Sequence, residues 1–61
     1  MELYKVTWRN VKRFYESKRS FDLNWSRNER RSQFYTVTAY KLNCKTEKWE
    51  IIRKLEPTKG N

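Results

Sequence analysis

A chain of 61 residues with one cysteine, Cys44, and no histidine has to hold itself together by packing alone. A chain this short buries only about 60% of the surface that its unfolded form exposes. An internal disulfide or a Cys/His-bound zinc would normally make up the shortfall, and the residue count rules out both. What remains is a core of large rings, because three Trp, four Tyr and three Phe bury much area per residue. A homodimer is a further route to enough buried surface. The single glycine, Gly60, lies in the last residues. Every internal turn must therefore be made by residues such as Asn, Ser, Asp or Lys.

The stretch from Gln33 to Leu55 offers two segments that fit each other as a hairpin. Gln33–Leu42 is dense in β-branched and aromatic residues, and Lys48–Leu55 follows after a polar turn. Placing Leu42 opposite Trp49 sets Tyr40 against Ile51 and Thr36 against Leu55 on one face. The other face then carries Lys41 against Glu50 and Ala39 against Ile52. Such cross-strand pairs contribute roughly 0.2–1 kcal/mol each, and a slip of one residue loses them all. Residues 47–55 also admit a helix, with Thr46 as cap and Trp49, Ile52 and Leu55 at helical spacing. The two adjacent isoleucines and the pairing favour a strand. With no Asn-Gly or Asp-Gly available, Asn43–Glu47 reads as a longer turn.

In the first half, Glu2–Trp8 alternates weakly, with Tyr4, Val6 and Trp8 on one face and Leu3, Lys5 and Thr7 on the other, as in a strand. Residues 10–19 fit a short helix capped by Asn10 or a strand that turns back through Glu16–Ser20. Phe21-Asp22-Leu23-Asn24-Trp25 alternates cleanly and reads as a strand with Phe21, Leu23 and Trp25 inward. Ser26 and Glu29 have capping-box spacing. No apolar residue lies between Trp25 and Phe34, so Ser26–Ser32 reads as a basic solvated loop. The expected fold class is mainly β, a small antiparallel sheet or partly open barrel of four to five strands, with one short helix near residues 10–19 as the alternative there. Residues 1–56 form a single small basic domain, and residues 57–61 a frayed tail.

The formal charge of +8 points to an acidic partner. From Arg9 to Arg31 the chain carries Arg9, Lys12, Arg13, Lys18, Arg19, Arg27, Arg30 and Arg31 against Glu16, Asp22 and Glu29. Arginine forks bind phosphate oxygens bidentately, and interleaved aromatics suit base stacking. The candidate nucleic-acid-binding residues are Lys12, Arg13, Lys18, Arg19, Trp25, Arg27, Arg30, Arg31, Tyr35, Lys41 and Lys54. The face of Tyr35 is expected to carry Lys41 and Lys54.

Catalysis is poorly supplied. Without histidine the usual general base is missing, no Gly-rich loop cradles phosphates, and the carboxylates show no paired arrangement. No enzyme activity, metal or cofactor is expected. Against the functional reading, most charge runs are solvated faces, and Trp8, Phe21, Trp25 and Phe34 read first as core. The charge exceeds what solubility requires. The expected function is non-enzymatic binding of DNA or RNA. The alternative is a small regulator or inhibitor of viral or mobile-element type that binds an acidic protein surface. No stretch is long and apolar enough to span a membrane. The lone thiol and the polar start point to a reducing, cytoplasmic setting.

Overall fold

Four strands and two short helices follow one another as β1 (Tyr4–Trp8), β2 (Val11–Tyr15), α1 (Lys18–Leu23), α2 (Trp25–Arg31), β3 (Val37–Asn43) and β4 (Lys48–Leu55), in a computed structural model that describes residues 2–57. The strands form one open antiparallel sheet in the order β2-β1-β3-β4. This is the mainly β class expected. Among the described residues no helix is long and apolar enough to cross a membrane.

β1 runs through the middle of the sheet, and its alternation is the one the sequence shows. Tyr4, Val6 and Trp8 are buried, whereas Lys5 and Thr7 are half-buried on the opposite face. Val37 and Ala39 of β3 lie beside Trp8 and Val6 and are fully buried. Phe21 of α1 completes the core on this face. Its ring stacks on Tyr4 with centroids 4.8 Å apart, meets Tyr15 edge-on at 6.1 Å and tilts against Trp25 at 5.3 Å. Cations close the rim of this small ring cluster. The Arg31 guanidinium lies 4.1 Å from the Trp8 ring, and that of Arg53 lies 4.7 Å from Trp25. Long basic side chains thus cover apolar surface with their stems as well as carrying charge.

The helices are where the sequence reading needs correction. Phe21–Trp25 is not a strand: α1 covers Phe21 to Leu23, Asn24 breaks the run, and Trp25 opens α2. Leu23, expected inward, is 71% exposed. Helices suit the segment because only Phe21 and Trp25 need the core, and α1 and the start of α2 bring their rings together with centroids 5.3 Å apart. Ser17 caps α1, its Oγ accepting from the Ser20 backbone N–H at 3.1 Å. Ser26–Ser32 is likewise not a loop. Its helix α2 buries a polar residue, Asn28, where an apolar one would be sought. Asn28 meets that demand fully: its Nδ2 donates to the Asn24 carbonyl and the Tyr15 hydroxyl, and its Oδ1 accepts from Arg31. Burial of so satisfied an amide costs little.

Of the two readings for residues 10–19, the strand forms over Val11–Tyr15, and Asn10 sits in the β1–β2 turn rather than capping a helix. Phe34, expected in the core, is 62% exposed in the turn that precedes β3, which begins at Val37 rather than Gln33.

Residues 48–55 form a strand, not the rival helix. Three pairs of the expected register are present: Leu42 with Trp49, Lys41 with Glu50 and Tyr40 with Ile51. Beyond them a bulge inserts Ile52, so Ala39 faces Arg53 and Val37 faces Leu55, in place of the expected Ala39–Ile52 and Thr36–Leu55 pairs. An extra residue reverses the facing of everything after it. One strand therefore turns Arg53 and Leu55 toward the helices and Trp49 and Ile51 away from them. The expected tail begins at exposed Pro57, and residues 58–61 lie outside the described residues.

Without internal glycine, two turns hold non-glycine residues in the left-handed region: Arg9 at φ 53° and Glu47 at φ 59°. Glu47 ends the Cys44–Glu47 turn, its N–H donating to the Asn43 carbonyl at 2.7 Å. The Asn43 side chain accepts from the Lys45 and Thr46 amides and so organises the turn. A residue with a Cβ pays roughly 1–2 kcal/mol for this conformation. Glu47→Gly is expected to raise stability by about 0.5–1 kcal/mol, the gain being trimmed by the greater freedom of an unfolded glycine. Thermal melting checks this, and a lowered melting temperature would show that the turn stores no strain at Glu47.

Candidate nucleic-acid interface

The helices cover one face of the sheet and leave the other open. Register places on that open face Lys12 and Phe14 from β2, Lys5 and Thr7 from β1, Thr38, Tyr40 and Leu42 from β3, and Trp49, Ile51 and Lys54 from β4. Among the described strand residues, three rings, three lysines and no carboxylate share it. Phe14 is 55% exposed and Ile51 61%, while Tyr40 and Trp49 are half-buried.

Two side chains draw the rings together. Phe14 and Trp49 stand on opposite edge strands, yet their ring centroids are only 6.2 Å apart, so the rings reach toward each other across the sheet. The Lys5 ammonium lies at the centre, 4.6 Å from the Tyr40 ring and 4.5 Å from the Trp49 ring. Such contacts are worth about 0.5–1 kcal/mol at exposed sites and hold a cation among the rings. The result is a patch of exposed π-faces with ammonium groups beside them.

The residues singled out from sequence divide among several places. Lys12 and Lys54 belong to the open face. Arg13, Arg27 and Arg31 line a small cleft on the helix side, together with Tyr15 and Asn24. Arg19 and Arg30 are exposed on the helices. Lys18 is engaged by Asp22 at 2.9 Å, and the hydrogen bond to that carboxylate raises the lysine pKa above its ordinary value. Trp25 is half-buried between Phe21 and Arg53. Tyr35, Lys41 and Lys54 do not share a face as expected. Tyr35 precedes β3 and lies under Arg9, with 5.3 Å between guanidinium and ring centroid. Lys41 faces the helix side, 3.8 Å from Glu2 and over the Tyr4 ring. The bulge at Ile52 returns Lys54 to the open side.

Lys5, Phe14, Tyr40 and Trp49 were missed as site residues. Part of the signal was present: the alternation of β1 sends Lys5 away from Tyr4, Val6 and Trp8. A two-residue turn at Arg9-Asn10 then brings Phe14 opposite Lys5. Trp49 was harder to read: its place opposite Leu42 was expected and holds, but nothing local in the sequence says which face of that hairpin the helices leave open.

No family model, curated protein or solved structure matches the chain.

Proposed function

We propose that this chain is a non-enzymatic nucleic-acid-binding protein that holds a single strand of DNA or RNA on the open face of its sheet, in a reducing, intracellular setting. The observation that carries the reading is the composition of that face: Phe14, Tyr40 and Trp49 gathered around Lys5, flanked by Lys12 and Lys54, with no carboxylate among them. Unpaired bases offer π-faces that stack on such rings without regard to sequence, and their phosphates meet the lysines. A duplex keeps its bases stacked inside and has less use for exposed rings.

The test is titration of random-sequence single strands and duplex at several salt concentrations. Affinity for single strands should fall linearly on a log–log plot, with a slope of about −0.7 for each phosphate contacted. The double variant Lys12→Ala/Lys54→Ala should flatten that slope by about 1.4, two contacts at about 0.7 each. No binding of the unaltered protein at low salt would remove this reading. It would promote the alternative, in which an acidic protein surface meets the lysines and packs on the exposed Phe14, Ile51 and Ile52, as apolar anchors do in protein interfaces.

A further inference from the structure

The cleft between β2 and α2 belongs to none of this. It lies on the helix side of the sheet, because Arg13 stands beside Val6 of the buried face. Arg13, Arg27 and Arg31 line it with Tyr15 and Asn24, and its volume is about 60 Å³. That is room for a few waters, and so for a small polar group. No carboxylate lines it. Among the described residues Arg13 and Arg27 make no ion pair.

The residues behind the lining hold its donors in place. Buried Asn28 accepts from Arg31 Nη1 at 2.8 Å, which fixes the direction of the amide. Its Nδ2 donates to the Tyr15 hydroxyl oxygen at 3.4 Å, leaving the phenolic hydrogen to be donated elsewhere. Arg31 is also held over the Trp8 ring, so its fork is pre-organised, with further N–H groups unspent on Asn28. The Asn24 amide nitrogen is committed to the Ser20 carbonyl. Side chains of three arginines and a tyrosine thus line one small polar cleft.

We infer that this cleft is a phosphoryl-binding site. Three positive charges and several N–H donors suit a group with three acceptor oxygens and nearly two negative charges better than a carboxylate with two oxygens and one. The inference does not rest on the open-face reading, since the two surfaces lie on opposite sides of the sheet. The phosphoryl group comes from a nucleic-acid terminus or from a free phosphate; a backbone phosphodiester, with two free oxygens and one charge, has no such advantage over a carboxylate.

The experiment is an NMR titration of the full chain with inorganic phosphate against sodium chloride at matched ionic strength, following the arginine Nε–H signals. Signals of Arg13, Arg27 and Arg31 should move together and saturate. Arg13→Gln/Arg27→Gln should weaken phosphate binding by about tenfold or more, the loss expected for charge-assisted hydrogen bonds, and leave the melting temperature within a few degrees. Oligonucleotides with 5′-phosphate or only hydroxyl ends identify the source. A gain from the terminal phosphate that the variant loses marks a terminus. Shifts by inorganic phosphate alone mark a free anion. Either result supports the site. Absence of saturable shifts beyond those of chloride overturns it, as does unchanged phosphate binding in the variant, equal titration by acetate, or equal shifts by the two oligonucleotides. Phosphate binding here without oligonucleotide binding on the open face would keep this inference and discard the function reading. The converse result would do the reverse.

Discussion

Phe21→Ala is expected to leave little folded protein. Phe21 is 2% exposed, and the rings of Tyr4, Tyr15 and Trp25 all rest on it. It is also what fastens α1 to the sheet. Truncating a buried phenylalanine costs about 3–5 kcal/mol. A domain of this length has roughly 3–9 kcal/mol in total, at about 0.05–0.15 kcal/mol per residue. The space vacated cannot close by collapse of neighbours that are themselves rigid rings. Phe21→Leu keeps most of the volume and should cost less than about 1.5 kcal/mol. Thermal unfolding followed by tryptophan fluorescence reads both variants. If the alanine variant melts within a few degrees of the unaltered protein, Phe21 is not the keystone of the core.

That Phe21 is buried was legible in the sequence; that it sits on a helix was not. Phe21, Leu23 and Trp25 alternate as a strand does, and the outward Leu23 is indistinguishable from an inward one by hydropathy. The helical stripe in fact runs Phe21, Trp25, Asn28 and Arg31, and its second half is polar. A reading that counts apolar periodicity sees the stripe stop at Trp25. The network of Asn28 with Tyr15, Asn24 and Arg31 takes the place of apolar packing, and nothing local in the sequence announces a hydrogen bond between residues 15 and 28. The β3–β4 pairing was legible up to Tyr40–Ile51 because side chains on two strands choose each other. It failed past the bulge because Ile52 suits a place opposite Ala39 as well as Ile51 suits Tyr40, and nothing in the sequence marks Ile52 as the extra residue. The cations were visible at once. Their sorting into an open face and a helix-side cleft waited on strand parity, which a single inserted residue reverses.

The largest effects on binding are expected from the rings of the open face. Phe14→Ala and Trp49→Ala should each weaken affinity for single-stranded oligonucleotides by roughly 5- to 150-fold, the equivalent of about 1–3 kcal/mol for a lost base–aromatic stack. Phe14 is more than half exposed on an edge strand, so its removal takes little from the core. Trp49 is half-buried and holds Lys5 with Tyr40. Its alanine variant needs a melting curve beside the binding curve, and Trp49→Phe should restore most of the affinity because a π-face returns. The salt slope separates stacking from charge. Ring variants lose affinity at every salt concentration and keep the slope, because no phosphate contact has gone. Lysine variants flatten it. The two effects should also differ on duplex, where the rings have no unstacked base to meet and their removal should change little. Should both ring variants bind single strands as tightly as the unaltered protein while the lysine variants weaken, the face acts through charge alone, and stacking has no part in recognition.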